Sequence, residues 1–142
     1  MEHEYDEETK RFLAERAEFA AKQAARPIKT WHFPATLCSK TRMGGEVVTA
    51  TAGSWVGDYP IARVGDIIRY PDGTESQIVS GAGYAMVTRD NQPAAIIGSA
   101  IDNGDTIINS LQDAMQFCEF ADGDPIPGLL QPGYVPPARA EG

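Results

Sequence analysis

The sequence predicts a mainly β fold of short hairpins with pseudo-three-fold symmetry, preceded by one N-terminal α-helix. Turn-forming residues are frequent, with 14 Gly and 10 Pro among 142 residues. A proline-containing segment recurs along the chain, and each copy precedes a glycine turn and a short aliphatic run. A chain of this length fits one compact core comfortably and two only with difficulty. We therefore expect a single β domain with a helical extension.

The helical pattern covers residues 5 to 25, with Leu13 and four alanines on one stripe and two phenylalanines beside it. Asp6 is placed to cap the first turn, and Pro27 is placed to end the helix. A lone helix of this length is marginal in water, so its Phe and Ala face should pack against something. Two alternatives stay open. The helix docks on its own domain, or it holds a neighbouring tail subunit or a cargo protein.

Composition divides the chain into three parts. Residues 1–30 form the helical extension, residues 31–112 the β domain, and residues 113–142 a tail rich in Pro and Gly. Prolines remove backbone donors and fix φ, so the tail from Asp122 onward is expected to be extended.

The charge of the chain argues against a nucleic-acid partner, and its apolar content argues against a segment that spans a membrane. A formal net charge of −8 disfavours nucleic-acid binding, which depends on Lys and Arg at phosphates. No apolar run approaches the roughly 20 residues that span a bilayer, and the N-terminus lacks a signal-peptide pattern. We expect synthesis in the cytoplasm without a signal peptide, with Cys38 and Cys118 as free thiols.

The internal repeat is the most informative feature of the chain. Residues 59–68 align with residues 92–101, so that a Pro, an Ala, an aliphatic residue and a Gly coincide. A fainter copy at residues 33–39 keeps only the pattern of size and polarity. Each copy leads to a glycine turn and then an aliphatic strand: Gly44-Gly45 before Val47-Val48, Asp72-Gly73 before Ile78-Val79, and Asn103-Gly104 before Ile107-Ile108. Three tight hairpins are therefore expected.

These segments resemble the PAAR-repeat family, named for its Pro-Ala-Ala-Arg signature, over about residues 33 to 110. The matching positions are Pro60, Ala62, Arg63, Gly65 and Asp66 in one copy and Pro93, Ala95 and Gly98 in the other. A repeated pattern of this kind is specific, whereas a single Pro-Ala tetrapeptide is not. The resemblance implies a small cone of short β-hairpins, in which these positions serve structure and spike binding.

The resemblance also implies a function, because PAAR proteins form the tip of the central spike in contractile injection machines. These machines include type VI secretion systems and phage tails. One copy would cap a trimeric β-helical spike protein, since three near-equivalent arms can meet three identical subunits. The implied role is a structural component of the tail baseplate or virion, or a secreted tip, that helps puncture the target cell envelope. The strand runs Val47-Val48, Ile78-Val79 and Ile107-Ile108, or their alternate neighbours, are expected to line the base that meets the spike.

Arg63 and Asp66 are interpreted as structural rather than catalytic. Asp66 is expected to accept hydrogen bonds from the turn backbone, and Arg63 to brace Asp66 or a carboxylate of the spike. No His or Cys stands near them in sequence, and the roughly 30 residues on either side of the repeats are too few for a catalytic domain. We therefore expect no enzymatic activity.

Members of the PAAR family commonly hold a metal near the apex, bound by His and Cys beside the glycine turns. In this sequence Met43, Tyr70 and Asn103 occupy those positions, and none is a usual zinc ligand. The other candidates are His3, His32, Cys38 and Cys118, of which His32 and Cys38 form the closest pair. A packed histidine and a strand cysteine explain that pair more simply. No bound zinc or iron is therefore expected.

Two other functions remain open. A stand-alone β-solenoid module, such as an adhesin or a carbohydrate binder, would also use Gly-punctuated repeats. Its stacking surface could be formed by Trp31, Trp55, Tyr59, Tyr70 and Tyr84. The second alternative is an adaptor that carries cargo or effector proteins on a secretion spike. The number of chains bound per trimer distinguishes a spike cap from a stand-alone binder.

Overall fold

A computed structural model describes residues 6–24 and 26–137. Within these ranges the chain is mainly β, with short antiparallel hairpins and a single N-terminal helix, which confirms the predicted fold class. The elements in chain order are α1 (Glu7–Ala24), β1 (Ile28–His32), β2 (Glu46–Val47), β3 (Trp55–Val56), β4 (Tyr59–Pro60), β5 (Ile67–Arg69), β6 (Glu75–Gln77), a 3₁₀ turn (Gly83–Ala85) and β7 (Phe117–Phe120).

Helix α1 begins as predicted. The Asp6 carboxylate accepts a hydrogen bond from the Thr9 N–H at 2.7 Å, which caps the first turn. The outermost residues of the predicted range, 5 and 25, lie outside the described residues. Phe12 and Phe19 are exposed (56% and 66%), so the described part of the chain does not cover the apolar face of the helix.

Three β-hairpins repeat one design. The first spans residues 40–46, the second joins β5 to β6, and the third spans residues 100–106. Each turns at a glycine with positive φ, where a side chain would be strained: Gly44 (+87°), Gly73 (+87°) and Gly104 (+90°). In each turn the glycine N–H donates to the carbonyl three residues earlier. The glycine turns predicted from the sequence are therefore confirmed.

The three hairpins are joined edge to edge. Strand β2 of the first hairpin pairs with β5 of the second. Ile78, just beyond β6, bridges Ile101 of the third hairpin. Thr41 of the first hairpin bridges Ile107, just beyond the third hairpin. Each hairpin edge thus finds a partner within the chain, which links the hairpins in a ring with pseudo-three-fold symmetry.

Three extended segments, here called the motif strands, lie beneath the hairpins at residues 33–36, 60–63 and 93–96. Their central alanines form a closed cycle of hydrogen bonds: Ala35 donates to Ala95 at 2.8 Å, Ala95 to Ala62 at 2.9 Å, and Ala62 to Ala35 at 2.9 Å. All three alanines are fully buried. A methyl group is small enough to let three backbones approach one axis, which explains why the repeat places alanine here.

Two buried clusters lie on opposite faces of the motif strands. Adjacent residues of a strand point to opposite sides, so Ala62 and Ile61 enter different clusters. The hairpin-side cluster consists of Ala35, Val47, Ala62, Ile68, Ile78, Ala95, Ile101 and Ile107. The second cluster consists of Ala52, Ile61 and Ala94, with Val56, Met86 and Met115 packed against it. The second cluster therefore marks the side of the domain that faces away from the hairpin tips.

One expectation about the strand runs needs correction. Val47, Ile78 and Ile107 were expected to line a base that meets a partner, but they are at most 1% exposed and belong to the hairpin-side cluster. They stabilise the chain itself and are not available to a partner. Their alternate neighbours point outward: Val48 and Val79 are half-buried, and Ile108 is exposed.

The C-terminal segment folds back on the β domain. Strand β7 pairs antiparallel with β1. Beyond Asp122, the N–H of Leu130 donates to the carbonyl of Gly81 at 2.7 Å. A Cβ on Gly83 would come within 2.2 Å of the Pro127 carbonyl oxygen, so only glycine permits this approach. The segment is held against the rest of the chain, while the division into residues 1–30, 31–112 and 113–142 stays a prediction.

Candidate functional site

A turn of one design follows each motif strand. The third residue of each turn has positive φ: Cys38 (+69°), Gly65 (+100°) and Gly98 (+98°). A polar residue comes next, and its side chain accepts a hydrogen bond from the N–H three residues earlier. These acceptors are Ser39, Asp66 and Ser99, all of which are buried. The positive φ explains why the repeat has glycine at positions 65 and 98.

Replacing Gly98 by valine should lower the free energy of unfolding by about 1–3 kcal/mol, because valine is strained at this positive φ. Lack of space is not the cause, since a Cβ at Gly98 would have Leu130 as its closest contact, at 3.6 Å. Cys38→Gly at the equivalent turn is the matched control and should change stability by less than about 1 kcal/mol. Urea unfolding measures both variants. A Gly98→Val variant as stable as the parent would show that the turn does not require glycine.

Asp66 organises the most extensive of these turns. Its carboxylate accepts from the hydroxyls of Thr49 and Thr51, both at 2.8 Å. It also accepts from the N–H groups of Thr51 at 2.9 Å and Arg63 at 2.8 Å. The predicted role of Asp66 as an acceptor for the turn backbone agrees with this geometry. The carboxylate also ties the turn to the segment that leaves β2.

Arg63 does not brace the Asp66 carboxylate with its side chain, so that alternative is wrong. Its Nη1 donates to the Val64 carbonyl at 2.7 Å, and its Nη2 lies 3.4 Å from Asp90 Oδ2. Only the main-chain N–H of Arg63 reaches Asp66. The buried Nε has no hydrogen-bond partner among the described residues. Arg63 therefore links its own turn to the loop that precedes the third motif strand.

The prolines of the motif act through their carbonyl groups. The oxygens of Pro60 and Pro93 accept from the N–H groups of Leu37 and Val64, at 3.0 and 2.9 Å. Phe33 takes the equivalent place in the faint copy, where its carbonyl accepts from Ile97 at 3.0 Å. The eight motif residues named from the sequence are thus brought together in one layer of strands and turns.

The hairpin tips meet at equivalent positions. Three matching hydrogen bonds set the register, in which the N–H groups of Val48, Val79 and Ile108 donate to the carbonyls of Ile67, Ala100 and Lys40. Counting three residues onward from each acceptor leads to Met43, Tyr70 and Asn103. These positions therefore lie equally far along their hairpins, although the second hairpin is longer: Gly44 and Gly104 directly follow Met43 and Asn103, whereas Gly73 comes three residues after Tyr70.

Asp105 is the side chain that links these tips, and the sequence pattern alone does not single it out. Its carboxylate accepts from the Tyr70 hydroxyl at 2.6 Å, the Met43 N–H at 3.0 Å and the Thr106 N–H at 2.8 Å. The Asn103 amide donates to the Tyr70 oxygen at 2.9 Å. We call Asp105, Tyr70 and Asn103 the apical cluster. Aspartate is common next to an Asn-Gly turn, so the sequence alone gives no reason to assign Asp105 a special role.

Two pKa values in the apical cluster shift in opposite directions. Burial acts to raise the pKa of Asp105, but hydrogen bonds from Thr41, Tyr70, and the N–H groups of Thr106 and Met43 outweigh it, so the net pKa lies below the ordinary 3.8. Burial, and then the hydrogen bond to Asp105, raises the pKa of Tyr70 above its ordinary 10.0. Around neutral pH the carboxylate is charged and the phenol keeps its proton.

Stability should therefore be highest between these two titrations. Because the folded-state pKa of Asp105 is depressed, its contribution is present above pH 3.8 and is lost as the pH falls through the folded value. Because the folded-state pKa of Tyr70 is raised, its contribution is present below pH 10.0 and is lost as the pH rises through the folded value.

Urea unfolding across the pH range tests this profile. Asp105→Asn should flatten the acid side of the stability curve, and Tyr70→Phe should flatten the alkaline side. Curves that keep the shape of the parent curve in both variants would show that the apical cluster does not govern the pH dependence.

The remaining metal candidates do not form a site. His32 Nε2 lies 2.7 Å from Glu119 Oε1, and the ring stacks on Phe117 with centroids 5.1 Å apart. Cys38 is exposed on its turn and is a free thiol. His3 lies outside the described residues. Within residues 6–24 and 26–137, no three His, Cys, Asp or Glu side chains come together in a way that could hold a metal.

A family model described as the PAAR motif matches residues 39–109, which is half of the chain and includes all three hairpins. The chain therefore belongs to the PAAR family. No curated protein matches it. Family membership supports a spike-tip role in a type VI secretion or phage-like machine, in association with a spike partner. In the part of the chain that the structure describes, the helix is too polar to cross a membrane.

Proposed function

We propose that this protein is the non-enzymatic cap of a trimeric β-helical spike, bound as one chain per trimer, and that it helps puncture the target cell envelope. Its place would be the tip of a type VI secretion spike or the baseplate of a contractile phage tail, as part of the virion. The observation that carries the proposal is the three-fold repetition of hydrogen bonds within one chain. A chain with three equivalent faces can meet three identical subunits at once.

The surface that we propose for the spike lies at the end of the hairpins opposite their tips. Leu37, Val64 and Ile97 occupy equivalent positions there, each just before the turn residue with positive φ. All three are aliphatic and half-buried, so they offer apolar contacts at three-fold related points. Trp55 is an exposed aromatic residue (63%), and its strand neighbour Val56 packs on the second buried cluster.

The buried carboxylates support a structural role rather than a catalytic one. Asp66 and Asp105 each accept hydrogen bonds from hydroxyl and main-chain groups. Among the described residues, no His or Cys donates to either of them. A catalytic acid or base needs access to a substrate and a group with which it exchanges a proton. Both carboxylates instead serve as fixed acceptors inside the fold.

Native mass spectrometry of the protein with its spike partner should show one chain bound to three spike chains. A single chain that lies on the three-fold axis of the spike can contact all three subunits in the same way, and a second chain has no equivalent position. An interface of roughly 1,200–2,000 Å² would suffice for stable attachment. A 3:3 complex, or no association, would contradict the cap. Sugar binding without any spike protein would favour the stand-alone β-solenoid module.

Val64→Glu should weaken this attachment at least about ten-fold, because it places a charge in an apolar contact. Met43→Glu is the matched control, since Met43 is equally apolar and 58% exposed but lies at a hairpin tip. It should bind the spike like the parent. Circular dichroism separates a loss of folding from a loss of binding. Equal attachment of both variants would exclude the proposed surface.

The uncovered apolar face of α1 favours an additional role as an adaptor. Phe12, Leu13 and Phe19 are all exposed, and such a helix suits a groove on a neighbouring tail subunit or a cargo protein. Removing residues 1–24 should leave spike attachment intact while the neighbouring subunit or cargo is lost from purified particles. Loss of spike attachment in the truncated chain would instead assign the helix to the cap itself.

A further inference from the structure

One buried carboxylate connects all three hairpin tips. Asp105 belongs to the third hairpin, and it accepts from a main-chain N–H of the first hairpin and from a tyrosine hydroxyl of the second. It is 1% exposed, so these hydrogen bonds form in a poorly hydrated environment, where charge-assisted bonds are strong. The carboxylate thus holds the three tips together by hydrogen bonds. A bound ion with ligands from three loops would hold them together in the same way.

The residues at this place do not fit a zinc or iron ion. The three positions assigned to the apex hold a thioether, a phenol and an amide, at Met43, Tyr70 and Asn103. Zinc prefers thiolate, imidazole and carboxylate ligands. The Asp105 carboxylate already accepts three hydrogen bonds, and the phenol proton is committed to it at 2.6 Å. A metal would have to displace these donors and leave them unpaired.

The Tyr70 ring packs closely against the first hairpin, which has a glycine at the point of contact. A Cβ on Gly45 would lie 2.8 Å from the Tyr70 ring and 2.6 Å from Ile68 Cγ2. The first hairpin therefore needs a residue without a side chain where the second hairpin inserts its tyrosine. Gly45 also donates its N–H to Thr41 Oγ1 at 2.8 Å, which fixes the first tip beside the ring.

We propose that the apical cluster of Asp105, Tyr70 and Asn103 holds the three hairpin tips together in place of the bound metal found in related proteins, so that this apex is stable without metal. The inference concerns only the folding of the tip. Its failure would leave the proposed attachment to a spike untouched, because attachment is measured separately at the other end of the hairpins.

Metal content and chelator resistance form the first test. The full chain, purified from cells supplied with zinc and iron salts, should contain well under one equivalent of either metal after dialysis. Its melting temperature should be the same with and without EDTA. A stoichiometric metal that survives dialysis, with a melting temperature that falls on chelation, would overturn the proposal. Loss of that metal in His32→Ala or Cys38→Ser would then locate it.

Removal of one hydroxyl forms the second test. Tyr70→Phe keeps the ring but removes the donor to Asp105, so it should lower the melting temperature by about 5 °C or more. Tyr84→Phe is the matched control, because Tyr84 is exposed (59%) and should melt like the parent. Added zinc should not restore Tyr70→Phe. A Tyr70→Phe variant that melts with the parent, or one that zinc restores, would overturn the proposal.

Discussion

Replacing Asp66 by alanine should lower the free energy of unfolding by about 3–5 kcal/mol. The substitution removes the acceptor of four hydrogen bonds, two from hydroxyls and two from the N–H groups of Thr51 and Arg63. The threonine hydroxyls can rotate toward other acceptors, but the two N–H groups are fixed by the backbone. Each buried donor left unpaired costs about 1–3 kcal/mol.

Ser99→Ala provides the matched comparison at the three-fold related turn. Among the described residues, its hydroxyl accepts from the Ile96 N–H alone, at 2.9 Å, so its loss should cost about 1–2 kcal/mol. Denaturant unfolding of the two variants measures both costs under the same conditions. If Asp66→Ala costs no more than Ser99→Ala, the additional hydrogen bonds of Asp66 do not stabilise the fold.

Ile107→Asp should cost more than about 5 kcal/mol and leave the chain largely unfolded at 25 °C. Ile107 is 1% exposed and packs in the hairpin-side cluster with Val47 and Ile78. A carboxylate at this position would be desolvated without a partner, or would be protonated and leave a misfitting polar group in the core.

Ile108→Asp, at the position next to Ile107 in sequence, is the matched control. Ile108 is 52% exposed, so the same change there should alter stability by less than about 1 kcal/mol. Far-UV circular dichroism and urea unfolding distinguish the two variants. A folded Ile107→Asp variant that fails only in spike attachment would restore the interpretation in which this strand run forms the base.

The turns and hairpins could be predicted because they depend on local chemistry. Each hairpin needs a glycine at positive φ followed by an aliphatic strand, so the same residue types recur in the sequence, as at Gly73 and Gly104. The faint first copy could not be placed by its proline, because Pro34 bridges Ile96 as Ile61 bridges Thr36. Pro34 is therefore equivalent to Ile61, and only the hydrogen bonds in space reveal this shift.

The apical cluster depends on contacts between residues that are distant in sequence, and no local sequence pattern predicts such contacts. The positions of Met43, Tyr70 and Asn103 near the apex were predicted from the resemblance to the PAAR family. Asp105 and the orientation of Arg63 were not. Asp105 has partners in the other two hairpins, and Arg63 lies beside Asp90 in the loop before the third motif strand. A single sequence does not show which of several nearby polar groups a side chain will reach.

The bridge between Thr41 and Ile107 has a consequence for how the chain folds. The first hairpin leaves the ribosome long before the strand that pairs with its outer edge, so the ring can close only after the third repeat has been synthesised. Contacts between such distant residues raise the contact order, which slows folding and exposes unpaired edges in the meantime. We therefore expect this small domain to fold slowly and in a single cooperative step once the third repeat is complete, with few stable intermediates of one or two repeats.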